Sequence, residues 1–495
     1  MLYNSTRDNN AVVESAAAIA HGISKEGGLF VPQSIPAFSA EDFATLKSLD
    51  YVGRAQYVFK NFLTDFTADE LKYCAEGAYI GSFDDDLPAP IKALDDKINI
   101  LELWHGPTCA FKDLALQILP YLLTTSAKKI GDGKKTVILV ATSGDTGKAA
   151  LEGFKDVKDT EIMVFYPNDG VSAMQQRQMN TQKGENVYVC AINGNFDDAQ
   201  TGVKTIFTDE SVKAILAENN MEFSSANSIN WGRLAPQIIY YVSAYCDLLD
   251  KGEDYLKDGF NVVVPTGNFG NILAAYYAKM MGVPINKLIC ASNSNNVLTD
   301  FLSTGTYDRN RNFYTTISPS MDILISSNLE RMLYELTGHD DKQVAQWQDS
   351  LKKDGKYTVT EDVLAKLKEH FFGGFCDEES TAATIKSVLD KYGYLIDTHT
   401  AVAVSVYNDY VEKTADNRPV VIASTASPYK FANSVLEAIG EVAPEDEFEA
   451  VKLLSSKTNT AIPTPISELE EATVRFNNVC NKEDMNKVVL KRLGI

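Results

Sequence analysis

Lys112 lies in the stretch Trp104 to Gln117, WHGPTCAFKDLALQ, with Phe111 before it and Leu114, Leu116, Ile118 and Leu119 after it. An ammonium in apolar surroundings is costly to keep charged. The two ways out, a depressed pKa or a covalent bond that removes the charge, both give a nucleophilic amine. The alternative is a lysine that lays its stem on apolar surface and carries its charge to solvent, paired with Asp113 or a neighbour. The FKD tripeptide alone does not decide between them.

Two other stretches share one design. TVILVATSGDTGKAA (136–150) and NVVVPTGNFGNILAA (261–275) each run from an apolar strand, through a loop with two glycines, into a helix N-terminus. Backbone N–H groups and the helix dipole make such a junction a ready anion site, although glycines in a tight turn would read the same way. Neither has a nucleotide-binding spacing: GDTGK (144–148) is too short for GxxxxGK[ST], and GNFG (267–270) lacks GxGxxG. VVIASTASPYKF (420–431) leaves a strand into a hydroxyl-rich turn closed by Pro428. SANSINWGRL (225–234) gathers Asn227, Ser228, Asn230 and Arg233 before a long helix, a set that suits a phosphate or carboxylate or, more plainly, an N-cap beside a solvated arginine. A buried lysine, a loop for a phosphate, a second for a carboxylate and a hydroxyl to meet a ring nitrogen are the parts of a pyridoxal phosphate site.

FKD, SGDTG, PTGNFGN and STASP, in this order and at these spacings, resemble the β-family (fold type II) pyridoxal phosphate enzymes. LYNSTRDNN and GGLFVP at the start, HGPTCAFKD, SANSIN with Arg233, SMDI at 320–323 and DEES at 377–380 resemble, within them, the long microbial threonine synthase family. The resemblance implies an α/β fold of the tryptophan synthase β type, parallel sheets covered by helices, with a helical N-terminal domain and an inserted helical region. It implies pyridoxal 5'-phosphate as cofactor and Lys112 as the residue that forms the Schiff base and moves protons. Gly267, Asn268, Phe269, Gly270 and Asn271 would hold the cofactor phosphate, and Thr425 the pyridine nitrogen. Ser143, Gly144 and Thr146 would receive the substrate carboxylate, and Asn227, Ser228 and Arg233 its phosphate. The implied reaction takes O-phospho-L-homoserine and water to L-threonine and phosphate.

Two residues depart from the pattern. Asp145, also expected beside the cofactor, replaces the Asn of SGNTG, and an ionised carboxylate near the phenolic oxygen is repelled unless one of them carries a proton. Ser427 stands where close relatives often have His. The rival readings are a β-family dehydratase and a phosphate-ligand binding protein. Arg233 with Asn227 and the long insertions speak against the first, and Lys112 against the second.

The elements that must position these residues follow from the apolar pattern. Residues 11–22 read as a helix closed by Gly22, 27–32 as a turn into an extended segment, and 41–63 and 68–78 as helices. From about residue 90, Val- and Ile-rich strands (98–103, 136–141, 161–166, 261–264, 420–423) alternate with helices (the Lys112 segment, 146–154, 234–249, 272–281, 399–411). Residues 300–380 interrupt this with a polar, mostly helical stretch whose apolar face includes Val363, Leu364, Leu367 and Phe371, and Ser467 to Glu470 reads as a capping box opening a last helix. The expected units are 1–92, mainly helical; 93–135 with 230–440, the large cofactor-binding α/β domain; 136–229, a smaller mobile one; and 441–495, an extension packing on the large domain.

At 495 residues, with 45% hydrophobic and 23% charged residues, the chain can bury several cores. Its 46 basic against 67 acidic residues give a net charge of −21, which disfavours nucleic acid and anionic membrane as partners and requires any positive potential to be local. Seven scattered cysteines without a CxxC pair, and only five histidines, offer no zinc-type cluster. No apolar run has the length of a membrane span, and Arg7, Asp8 and Glu14 interrupt the start, so the expectation is a cytoplasmic, metal-free enzyme, monomeric by resemblance.

Overall fold

Runs such as Ile138 to Val140, Val262 to Val264 and Val420 to Ala423 have no polar face to show to solvent, so each belongs in a sheet covered on both sides. The computed structural model describes Met1 to Ile495 apart from Asp85, Asp86, Asp132, Ser143, Asp169 and Gly170 and the side chains of Asp197 and Glu253. It places these runs in two sheets. The larger has the order Phe371–Phe375, Ile285–Ser292, Phe260–Pro265, Val420–Ser424, Ile98–Glu102 and Ile91–Ala93, all parallel except the last strand. The smaller is wholly parallel, in the order Asn478–Asn481, Val187–Asn193, Thr160–Pro167, Lys135–Ala141 and Met221–Ser224. Three adjacent strands of the larger sheet, Phe260–Pro265, Val420–Ser424 and Ile98–Glu102, end in the 267–271 loop, the Thr425 turn and the Lys112 segment. Ligands gather at such carboxyl ends.

The N-terminal unit has no core of its own. Tyr3 and Phe62 pack their rings on Trp231, with centroids 5.4 Å and 5.7 Å away, so the helix Trp231–Leu248 is shared between this unit and the larger sheet. Arg331 fastens the same seam, donating to Phe30 O, Ile229 O and Asn328 Oδ1.

Several expectations are corrected. Residues 11–14 belong to the strand Asp8–Glu14, and only Ser15–His21 is helical; Val12 and Val13 alternate outward and inward against the strand Leu2–Ser5. The mainly helical N-terminal unit thus also carries a three-stranded antiparallel sheet. The helix expected to reach Phe371 ends at His370, and Phe371–Phe375 pairs in parallel with Leu288 to Ser292, so the 300–380 stretch supplies an edge strand of the larger sheet. Ser467 closes the short helix Thr464–Ser467 rather than opening one; the last helix is Met485–Leu493. Residues 441–495 do not pack on the large domain as a whole. The helix Glu447–Thr458 lies on Ala432–Ala438, but Asn478–Asn481 extends the smaller sheet beside Val187–Asn193, and Met485–Leu493 packs on Phe196–Thr208.

Candidate active site

Lys112 ends a segment stitched to the neighbouring turn. Leu103 N donates to Ser424 O at 2.9 Å, Phe111 N to Thr425 O at 2.9 Å and Ser427 N to Cys109 O at 3.1 Å, and Ala110 faces Ala426 in an antiparallel bridge. Trp104 Nε1 reaches Ser424 Oγ at 3.1 Å. Lys112 itself precedes the one-turn helix Asp113–Leu116, and its carbonyl accepts from Leu116 N at 2.8 Å. The backbone that carries Lys112 and that of Thr425 are therefore held by one short ladder. Burial pulls the Lys112 pKa down, and Lys430 and Arg233 add to this, while Asp145 opposes it. The snorkelling alternative is not what the fold adopts: the side chain is 15% exposed.

Asp145 opens the helix Asp145–Phe154 at the end of a smaller-sheet strand. Its Oδ2 stands 3.7 Å from Lys112 Nζ, and its Oδ1 accepts from Lys430 Nζ at 2.7 Å and Gln175 Nε2 at 3.1 Å. Ser320 Oγ lies 3.4 Å from Oδ2. Burial alone would raise this carboxyl's pKa, but Lys430 and Lys112 outweigh burial and hold it well below the usual carboxylate range. Ser320 is positioned in turn by His399: Ser320 N donates to His399 Nε2 at 3.1 Å, so the ring proton sits on Nδ1, 2.7 Å from Asp397 Oδ2.

The 267–271 loop carries donors without partners among the described residues. Gly267 O accepts from Ser326 Oγ at 2.7 Å and Asn268 O from Asn328 N at 3.0 Å, so the trans peptides turn the N–H groups of Asn268 and Phe269 the other way, beside the free N–H groups that open the helix Gly270–Met280. Asn271 accepts from Tyr241 through Oδ1, while its buried Nδ2 has no partner among the described residues. A Cβ on Gly267 would fall 2.7 Å from Ser320 O, so glycine lets the loop and the Ser320 segment touch. Phe269 and Cys109 both hold positive φ (62° and 55°), a strain of about 1–3 kcal/mol each, one in the 267–271 loop and one before Lys112.

Arg233 is buried; its Nη1 donates to Ala226 O at 2.6 Å and its Nε has no partner among the described residues. Burial lowers its pKa to about 10. Ser228 Oγ approaches Ser327 Oγ at 3.4 Å, whose hydroxyl reaches Asn268 Oδ1 at 3.3 Å. Asn271 Nδ2 and Arg233 Nε are thus two buried donors at the site that an anionic ligand could satisfy.

The family model described as pyridoxal-phosphate dependent enzyme matches residues 86–425, that of the threonine synthase N terminus residues 2–79, and that of the threonine synthase C-terminal part residues 400–489. Threonine synthase of Pseudomonas aeruginosa is 36% identical over 480 residues, covering 97% of this chain and 99% of that one. The chain belongs to the threonine synthase family. Threonine synthase-like 1 of Homo sapiens is 40% identical over 466 residues, 92% of this chain, and the chain spans 62% of that protein's length. The crystal structure of pyridoxal-phosphate-bound threonine synthase from Brucella melitensis matches with a TM-score of 0.88 at 37% identity, covering 99% of each chain.

For a member of the threonine synthase family, the residues fit pyridoxal phosphate: an amine at Lys112, unfilled N–H donors at 267–271 and a buried hydroxyl at Thr425. Two expected substrate residues are placed otherwise. Gly144 N donates to Thr142 Oγ1 at 3.0 Å, so it is not free for a carboxylate. Its backbone at φ 143° serves the turn, and a Cβ there would strike the Gln175 amide at 2.3 Å. The Asn227 side chain is exposed and is not drawn to Arg233. Thr146 is half-buried in the first turn of its helix, and Ser143 lies outside the described residues. Sequence reasoning missed Lys430, Gln175 and the His399-held Ser320. Only Ser320 had a signal, as part of SMDI.

Proposed function

We propose that this chain converts O-phospho-L-homoserine and water to L-threonine and phosphate with pyridoxal phosphate bound at Lys112. One observation carries the reading: the Lys112 amine lies on the segment laddered to the Thr425 turn, and two buried donors on neighbouring elements, Asn271 Nδ2 and Arg233 Nε, have no partner among the described residues.

Bound pyridoxal phosphate would supply an aldehyde for the amine and a ring that accepts electrons from the substrate's α-carbon. The N–H groups of 267–271 and Asn271 Nδ2 would hold its phosphate, and the Thr425 hydroxyl its ring nitrogen. Lys112, neutral part of the time because burial disfavours its charge, removes and returns protons at the substrate's α-carbon and its neighbours. Arg233 grips the γ-phosphate and steadies it as it leaves. Thr146 and the first turn of its helix receive the carboxylate, where the dipole favours negative charge. Asp145, already compensated by Lys430, adds no uncompensated negative charge to the pocket. We read the protein further as a cytoplasmic monomer acting on this small molecule, engaging neither nucleic acid nor membrane. The net charge of −21 supports the exclusion of polyanions.

The experiment is an assay of purified protein with pyridoxal phosphate and O-phospho-L-homoserine, expecting phosphate and threonine in equal amounts. Keto acid formed from serine or threonine, with no phosphate release, would replace this reading with a dehydratase.

A further inference from the structure

We propose that Lys430 is a positioning residue for the reacting lysine: gripping Asp145 across the seam between the two sheets, it fixes where that carboxylate stands and how much of it is left for Lys112. The inference rests on Lys112 being the reacting amine.

Lys430 sits in the short turn Pro428–Phe431, which Ser427 caps by accepting from Tyr429 N, and its ammonium is wholly buried. It donates to Thr108 O at 2.9 Å and to Asp145 Oδ1 at 2.7 Å. Thr108 belongs to the segment that delivers Lys112, while Asp145 belongs to the other sheet's helix. One cation thus ties the reacting segment to the smaller unit. A buried ammonium deprived of its carboxylate is strongly destabilised, so the pairing is enforced.

Two cations compete for Asp145. Lys430 is at hydrogen-bond distance, and Lys112, at 3.7 Å, is not. The charged groups acting on Lys112 are Asp145 from the smaller unit and Lys430 and Arg233 from the larger; the Gln175 amide and Ser320 bond Asp145, and the neighbouring Asp113 is turned to Thr108. With Lys430 in place, Oδ1 of Asp145 is taken by Lys430 and Gln175, and the Lys112 amine stays beyond hydrogen-bond distance of Oδ2, ready to attack a carbonyl. Without Lys430, Asp145 turns to Lys112 and holds its proton.

The test follows covalent capture of pyridoxal phosphate by the apoprotein, read by absorbance across about pH 6 to about pH 10, with borohydride trapping and peptide mapping. Lys430→Met should raise the pH midpoint of capture by roughly one unit, slowing capture near neutrality about tenfold. Lys430→Arg should stay near the parent, and Asp145→Asn/Lys430→Met should return to the parent midpoint or below it. If Lys430→Met does not fold, Lys430→Gln, which keeps a donor for Thr108 O without the charge, must show the same rise. An unmoved midpoint in whichever of these two variants folds overturns the proposal. Label found on a lysine other than Lys112 in the parent protein would instead refute the assignment of the reacting amine.

Discussion

The Asp145 carboxylate stands 3.7 Å from the Lys112 ammonium without being its hydrogen-bonded partner, because Lys430 holds its other oxygen at 2.7 Å. This removes the difficulty posed by an Asp in place of Asn. The carboxylate need not share a proton to be tolerated, since a buried cation compensates it. Lys112, Arg233 and Lys430 against Asp145 leave the pocket net positive inside a chain of net charge −21. That local surplus suits a doubly phosphorylated assembly of cofactor and substrate.

Lys112→Ala should abolish turnover and the borohydride-trapped cofactor together. The depressed amine is the only group in the pocket assigned to the α-proton, and alanine leaves Asp145 with Lys430 as its cation, so the fold should survive. Circular dichroism would confirm folding. Threonine formation at the parent rate by this variant would end the assignment.

Asn271→Ala should weaken cofactor binding about tenfold to a hundredfold, the cost of about 1.5 to 3 kcal/mol for a lost hydrogen bond to a charged group. Tyr241→Phe provides the control. Both variants lose the Tyr241–Asn271 bond, but only the first loses Nδ2, the atom without a partner. Equal losses in a cofactor titration of the two would place the phosphate away from Asn271.

The site was legible where it is written in contiguous residues. Strand, glycine loop and helix follow one another at 136–150 and 261–275, so these junctions and their strands could be read from contiguous sequence. Lys430 could not be, because its partner Thr108 is 322 positions away and a lysine in SPYKF has no local mark of burial. Phe371–Phe375 was hidden for another reason. FFGGF carries two glycines that argue against a strand, but here they allow close packing: a Cβ on Gly373 would lie 3.2 Å from Thr299 Cα, and one on Gly374 2.6 Å from Val406 Cγ1. Asn478–Asn481 is a four-residue polar strand given its place only by the edge of a distant sheet.

Asp113 should give the protein a measurable pH dependence of stability. Burial raises its carboxyl to about 6 from the ordinary 3.8, despite bonds from Thr108 N and Oγ1, both at 2.8 Å. The folded state therefore binds this proton more tightly than the unfolded one. The resulting stabilisation is complete below about pH 4 and is lost as pH rises through about 6, amounting to roughly 3 kcal/mol. Asp113→Asn is neutral throughout, so the parent's thermal midpoint minus the variant's should fall between about pH 4 and about pH 6. A constant difference over that range would show that Asp113 ionises normally in the folded protein.

Arg233 separates the reading of this chain as a threonine synthase from its dehydratase rival. Its Nη1 is anchored on Ala226 O at 2.6 Å, which fixes the guanidinium, and its buried Nε is left without a partner. If that free edge grips the substrate's γ-phosphate, Arg233→Ala should still capture cofactor at Lys112, because we assign the cofactor phosphate to the 267–271 loop. Its spectrum should still respond to amino acids that lack a phosphate. Threonine formation from O-phospho-L-homoserine should nevertheless fall at least about tenfold to a hundredfold, since a charge-assisted bond of about 1.5 to 3 kcal/mol is lost and the leaving group is less well placed. Arg233→Lys should recover only part, because one ammonium cannot both satisfy Ala226 O in the same geometry and present a planar fork to a phosphate. Equal losses toward phosphorylated and unphosphorylated amino acids would assign Arg233 to bracing the 225–230 turn through Ala226, and the dehydratase reading would then gain.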